Sequence, residues 1–400
     1  MKRARKKRVG LLRLKLAALL VGILILVGLA ILALAPGIVE RSNNQVVGPT
    51  PALAGPHALA LHKTLQIADM HADTLLWSRD FDEKAERGQV DLPRLETGHM
   101  ALQILSSVTK SPKHQNYDAN GADTDTITLL TMAQGQPPRT WVSLLERSLW
   151  HAEKLVRAEA ASGGRLRVVR SRSDLSRLLA DRAAGMSVTG AMLSVEGLHN
   201  LEGHIANLDR LYAAGFRMAG LVHFFDNELA GSMHGLKKGG LTPFGLQVMR
   251  AMEGEGMIVD IAHASHAAVA DVLRLAKAPV VSSHGGVQAT CQVNRNLTDA
   301  EIRGVAATGG MVGIGYWDAA VCDISPRGIV RAIAHVRDLV GIDHVGLGSD
   351  FDGAVTTRFD VTRLDAITQA LVDAGFNDAE IAQVMGGNVL RLLGQWLPPQ

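Results

Sequence analysis

Cysteine is almost absent from this chain: 400 residues contain two, Cys291 and Cys322. Two thiols cannot build a disulfide framework, a zinc knuckle or an iron–sulfur site, and neither lies in a Cys-x-x-Cys pair, so the sequence argues against thiol chemistry. Neither falls in the first 60 residues, so lipid attachment is not indicated. A broad basic surface is missing too. The net charge is +2, but residues 1–15 hold eight of the 41 basic residues and no acid, which leaves the rest with 33 bases against 39 acids, a net of −6. Such a body does not collect nucleic-acid phosphates, so nucleic acid is excluded as a partner. There is no internal repeat. What remains is 47% hydrophobic and 20% charged, a globular composition with enough apolar side chain for a sizeable core.

The N-terminal cations Lys2, Arg3, Arg5, Lys6, Lys7, Arg8, Arg13 and Lys15 precede a run of twenty uncharged residues, Leu16 to Ala35. As a helix that run is about 30 Å long, the thickness of a bilayer core, and the flanking cations favour the cytoplasmic side. A signal peptide is the alternative, with Ala33-Leu34-Ala35 resembling a cleavage site. Its apolar region is usually only about 7 to 15 residues, and Pro36 after the cut fits a peptidase badly, so an uncleaved anchor is the preferred reading. The expected organisation is a cytoplasmic basic segment (1–15), a single transmembrane span (16–35), a Pro/Gly-rich linker (36–63) and one folded domain (64–400) outside the cytoplasmic membrane, periplasmic if the cell is Gram-negative.

From residue 64 short apolar runs alternate with helix-period segments, the pattern of a parallel α/β fold. Nine strands are predicted: Leu65–Met70, Ala101–Val108, Leu166–Val169, Ala191–Val195, Arg217–Val222, Met257–Ala262, Pro279–Ser283, Met311–Gly315 and His344–Gly348. They suggest a TIM-type (β/α)8 barrel with insertions and one extra strand. Helix starts are marked by Thr242-Pro243, by Ser265 and by the capping box Thr298 to Glu301. The polar stretch Lys110 to Gln136 reads as a long loop over the site.

In such a barrel the strand C-termini face the active site. Five of them end in metal-ligand types. His71 and Asp73 lie two apart and share one side of an extended segment. Glu196 directly follows an apolar run, where burial without a partner is expensive. His263, His284 and the run Gly348-Ser349-Asp350-Phe351-Asp352-Gly353 complete the set. Taken singly, His263 or His284 reads as a hydrogen-bonded core histidine; five coincident strand ends point to a metal site instead. Only nitrogen and oxygen donors are present, which suits zinc or another divalent first-row ion. With Glu196 bridging, one ion would take His71, Asp73 and Glu196, and the other Glu196, His263 and His284. Two such ions about 3.5 to 4 Å apart could share a hydroxide as nucleophile.

These residues, with Val90-Asp91-Leu92-Pro93-Arg94-Leu95, Glu196-Gly197-x-His199, Gly240-Leu241-Thr242-Pro243-Phe244-Gly245, Asp260-Ile261-Ala262-His263-x-Ser265, Arg295-Asn296 and Gly386-Gly387-Asn388, make the chain resemble the membrane dipeptidases. This is peptidase family M19 of the amidohydrolase superfamily, and the resemblance runs from about Ile67 to Leu393. It implies a barrel with two zinc ions that hydrolyses dipeptides by metal-bound hydroxide, some relatives tolerating a D-residue at the C-terminal position. Carried over by position, His71, Asp73, Glu196, His263 and His284 would hold metal, Arg295 would grip the substrate carboxylate, His199 would stabilise the oxyanion and Asp350 would handle the proton. Asp352 is read as structural, and His223, Asn227 and His234 as pocket or loop residues.

Relatives that hydrolyse phosphotriesters often bridge their metals with a carboxylated lysine, and no lysine lies between Arg165 and Lys237. Met70 and Ala72 replace a glycine and an asparagine common beside the first histidine, and Leu102-Gln103-Ile104-Leu105 stands where many relatives carry Phe-Trp, so the pocket wall should differ. Opening of an amide, lactone or β-lactam ring by the same site stays open as an alternative, as does a homodimer.

Overall fold

The structure, a computed structural model, describes residues 2–400, and the side chains of residues 2–9, 25 and 29–33 lie outside the described set. The cationic cluster expected over Lys2–Arg8 falls there.

Every predicted strand forms. They are β1 (Ile67–Ala72), β2 (Met100–Val108), β3 (Leu166–Val168), β4 (Thr189–Glu196), β5 (Phe216–Gly220), β6 (Ile258–Asp260), β7 (Val280–Ser282), β8 (Met311–Ile314) and β9 (Val345–Leu347). All pair in parallel in the order β1-β2-β4-β5-β6-β7-β8-β9, and β9 returns to β1 through Leu347 and Asp69, closing an eight-stranded barrel. The ninth strand, β3, lies outside the ring and pairs only with Thr189–Ala191 at the start of β4. The fold is therefore the expected TIM type.

A period of two builds the core. Met70, Leu102, Ile104, Met192, Met218, Ile258, Val281 and Met311 form one buried cluster that Val389, Leu392 and Leu393 of the C-terminal helix extend. The alternate residues Leu105, Leu193, Ala219, Val259, Val280 and Val312 join the larger cluster shared with the surrounding helices. The predicted caps form as well: Thr242, Ser265 and Thr298 each accept a bond from the backbone three residues on, and Glu301 completes the capping box.

Two expectations change. The segment 36–63 is not a free linker. One helix, α1 (Lys2–Asn43), runs on from the apolar stretch, and Gln45–Val46 then pairs with Thr356–Thr357. A second helix, α2 (Pro56–His62), packs on helix Asp365–Asp373, with His62 Nδ1 2.8 Å from Thr368 Oγ1. At the start of the segment Glu40, fully buried, needs cations and finds Arg79 at 2.5 Å and Arg87 at 2.6 Å, which fixes the end of α1. Within α1, Gly10–Gly28 is long and apolar enough to cross a membrane. Second, the polar stretch after β2 is not loop throughout, since Ile127–Ala133 forms helix α3, which packs against α1. The two cysteines are also bonded to each other, tying the loop after β7 to the segment after β8.

Candidate metal centre

A β-bulge aims the first two donors. Between Asp69 and Ala72, β1 spends three residues where β2 spends two, since Asp69 pairs with Gln103 and Ala72 with Leu105. The shift turns His71 towards the barrel axis beyond the parity of Ala68, and Asp73 follows two residues later. His71 Nε2 then lies 3.5 Å from Asp73 Oδ1, 3.7 Å from Glu196 Oε2 and 3.8 Å from Asp350 Oδ1. On the other side, Glu196 Oε1 stands 2.9 Å from His263 Nε2 and 3.2 Å from His284 Nε2. Five side chains from four separate strand ends and a sixth from the loop after β9 thus meet around the Glu196 carboxylate. All six are buried.

The surroundings fix the histidine rings. Ser283 Oγ donates to Asp260 Oδ2 at 2.5 Å, so its lone pairs accept from His284 Nδ1 at 2.9 Å and, more weakly, from His71 Nδ1 at 3.4 Å. That directs Nε2 of both rings at the cluster and leaves Nε2 of the neutral His284 ring unprotonated. Asp69 anchors the opposite wall, accepting from the His71 amide at 3.0 Å, the Ser349 amide at 2.9 Å and Gln103 Nε2 at 2.9 Å. Strain is stored here too: His263 and Asp350 hold φ of +65° and +60°, a region non-glycine residues rarely enter.

Burial disfavours a protonated His71, but Glu196 and Asp73 outweigh it and raise its pKa well above the usual value. Burial would likewise lift Glu196, but His223 and His71 outweigh it and hold its carboxyl well below the ordinary range. Asp350 goes the other way: burial, opposed by His71 and reinforced by Asp73 and Glu196, pushes it well above. Burial drives His263 and His284 well down, keeping both neutral.

A cavity of about 510 Å3 opens above the cluster and is lined by Asp73, Glu196, His223, His263, Arg295 and Asp350 among others. Arg295 is 2% exposed; its Nη2 donates to the His284 carbonyl at 2.8 Å, its Nε has no partner, and its guanidinium lies 5.8 Å from the Trp317 ring. Gly285 makes room for it, since a Cβ there would sit 2.9 Å from Arg295 Nη1.

His199 is not in the cavity. After Glu196 the chain turns at Gly197 (φ +87°) into a short helix, Leu198–Leu201, which carries His199 to Thr109 Oγ1 at 2.9 Å and against Phe225. Burial lowers its pKa to about 3. The histidine at the mouth is His223, just beyond β5, with Nε2 3.5 Å from Glu196 Oε2. The residue expected at the oxyanion, His199, is thus turned to Thr109, while His223 lies beside Glu196 in the cavity lining. The signal for His223 was present in the sequence, a histidine directly after an apolar strand. His234 lies a layer further out, its Nδ1 2.9 Å from the Tyr117 carbonyl.

The donors fit divalent cations. His71 Nε2 and Asp73 Oδ1 are buried without hydrogen-bond partners, and three compact sets meet the spacing of a metal site: His71, Asp73 and Glu196; His71, His284 and Asp350; Glu196, His223 and His263. The sequence model of the family described as membrane dipeptidase (peptidase family M19) matches residues 56–396. The chain belongs to that family. It is a hydrolase of the M19 metallopeptidases. It is 30% identical over 367 residues to the dipeptidase aclJ of Aspergillus oryzae, covering 85% of this chain and 81% of that protein. Among solved structures it resembles the probable dipeptidase PvdM of Pseudomonas aeruginosa (TM-score 0.72, 22% identity, 85% of this chain and 98% of that one). It also resembles a metallopeptidase of Rhodobacter sphaeroides bound to a phosphinate mimic of L-Ala-D-Ala (TM-score 0.69, 22% identity, 83% and 99%). Those two likenesses carry the fold.

Proposed function

We propose that the chain is a binuclear zinc dipeptidase held at the cytoplasmic membrane by α1, with its catalytic domain outside the cytoplasm. The observation that carries the reading is Glu196, whose two oxygens face His71 on one side and His263 and His284 on the other. His71, Asp73 and Glu196 would hold one ion, and Glu196, His263 and His284 the second. All donors are nitrogen or oxygen, which suits zinc. When bound, two divalent ions supply Lewis-acid activation of the peptide carbonyl and of the attacking water.

The chain's own residues do the rest. Arg295 binds the substrate carboxylate through paired charge-assisted hydrogen bonds and sets the scissile carbonyl over Glu196. His223 donates Nε2–H to the oxygen that gains charge in the tetrahedral intermediate. Asp350, 3.8 Å from His71 Nε2 at the edge of the cluster, takes the proton of the water and returns it to the leaving amine. An extracytoplasmic domain accords with the Cys291–Cys322 bond, since disulfides persist in oxidising compartments. The continuity of α1 from Gly10–Gly28 to the buried Glu40 supports an anchor that stays attached.

The test uses the full chain in detergent. Chelation is expected to abolish dipeptide hydrolysis and Zn2+ to restore it at two ions per chain, while Glu196→Gln should lose bound metal or activity without unfolding the barrel, as read by circular dichroism. Turnover after complete metal removal would overturn the mechanism.

A further inference from the structure

The cavity over the metal cluster has an apolar side that the proposed chemistry does not use, and part of that side belongs to α1. Ala35, Pro36 and Val39 line it, facing Val108 at the end of β2 and Ile127 and Leu130 of α3. The position of this wall is decided by the ring of strands. In the order β1-β2-β4-β5-β6-β7-β8-β9, β2 and β7 are four places apart and so stand on opposite sides of the barrel mouth. Val108 closes β2, and α3 lies in the insertion that follows it. Arg295 lies in the loop that follows β7. The carboxylate pocket and the apolar wall therefore flank the metal cluster from opposite sides.

A dipeptide bound by its carboxylate at Arg295, with its peptide carbonyl over Glu196, must direct its amino-terminal residue towards the far wall. We infer that this wall is the subsite for that residue's side chain, and that the substrates preferred are dipeptides with a bulky apolar residue on the amino side. The inference rests on the dipeptidase reading and deepens it. Two further features agree. The volume of about 510 Å3 lies in the range of pockets that enclose drug-sized ligands, more than the smallest dipeptides fill. And α1 is held at the mouth by the buried pairing of Glu40 with Arg79 and Arg87, so the wall is a fixed part of the pocket. Arg41 and the exposed Ile38 lie on a different face of the helix, around a separate hollow with Ser78 and Arg87.

Three substrates decide the matter with the full-length protein in detergent: Leu-Gly, Gly-Leu and Gly-Gly. The wild type is expected to favour Leu-Gly over Gly-Gly in kcat/KM by about tenfold or more, the effect of burying one aliphatic side chain. A charge in the wall, Val39→Asp, should erase most of that preference without a matching change in the ratio of Gly-Leu to Gly-Gly. Leu129→Asp, at a cavity-lining position that is 65% exposed and so tolerant of folding, should act in the same sense. Ile38→Asp controls for effects on the helix itself and should leave the Leu-Gly to Gly-Gly ratio as it is. Gly-Gly hydrolysis with no preference for Leu-Gly, or a preference that survives both wall variants, overturns the subsite alone. No hydrolysis of any dipeptide by the zinc-loaded wild type overturns both the subsite and the reading beneath it.

Discussion

Glu40 of the N-terminal helix and Asp352 of the loop after β9 bind the same guanidinium, that of Arg79, with all three side chains buried. Asp352 also accepts from Thr74 Oγ1 at 2.8 Å and from the Gln89 amide at 2.7 Å. It therefore joins the residue after Asp73, the end of α1 and the loop that carries Asp350. Asp352, like Asp350, sits at positive φ, +62°, and the network holds that strained turn in place.

Removing the shared cation should be costly. Arg79→Met removes the cation from the buried Asp352 and one of the two that hold Glu40, and losing one partner of a buried ion pair costs about 3–5 kcal/mol. A lowered denaturant midpoint is expected, together with a fall in kcat as the Asp350 loop loosens. An unchanged midpoint would show that Arg87 and the remaining hydrogen bonds suffice to hold the two carboxylates.

The two histidines at the ends of β4 and β5 should separate cleanly. His223→Ala is expected to lower kcat by about 10²- to 10³-fold, the usual effect of deleting an oxyanion donor, with bound zinc retained. His199→Ala should leave kcat within a few-fold and act on stability through the lost contact to Thr109. Steady-state kinetics with metal analysis on both variants checks this, and loss of zinc from His223→Ala would make that residue a ligand instead.

The disulfide spans 31 residues of sequence, a closure that stabilises by about 3–4 kcal/mol through the unfolded chain. It also links the loop bearing Arg295 to the segment beyond Trp317. Reduction, or Cys291→Ser with Cys322→Ser, should lower the thermal midpoint and, if Arg295 holds the ground-state carboxylate as proposed, raise KM more than it lowers kcat. Mass spectrometry of the alkylated, unreduced protein should show no free thiol.

Acid should destabilise the docking of α2. Burial, aided by the neighbouring His99, lowers the His62 pKa from 6.5 to about 4. The unfolded chain therefore takes up this proton first, and stability is lost as pH falls from about 6.5 towards 4, by up to about 3 kcal/mol for this group. Denaturant titrations at pH 7 and pH 5 should show a smaller difference for His62→Gln, which keeps a polar partner for Thr368, than for the wild type. An equal difference would place the acid sensitivity elsewhere.

Much of this protein was legible as local pattern. Alternation and short apolar runs located all nine strands, including the one left outside the ring, because a parallel barrel buries each strand on both faces. Polar residues at strand ends stood out for the same reason: Glu196, His263 and His284 each break an apolar run where an unpartnered polar group is expensive. The capping box at Thr298 and the N-caps at Thr242 and Ser265 were readable because they act within four residues.

The tertiary structure decided what depends on parts distant in sequence. His199 and His223 both follow apolar strands, and only the turn at Gly197 sends one to Thr109 and leaves the other at the cavity. The bulge that aims His71 exists in the register between β1 and β2, which no single strand encodes. Residues 36–63 have the proline and glycine content of a linker, yet Glu40 is drawn to Arg79 and Arg87, since a charge inside a protein goes where its countercharges are, and His62 docks α2 on Thr368. The sequence by itself set which side chains could bind metal and where the strands run. Closure of the ring decided which of them meet, because proximity across a barrel is a property of all eight strands together.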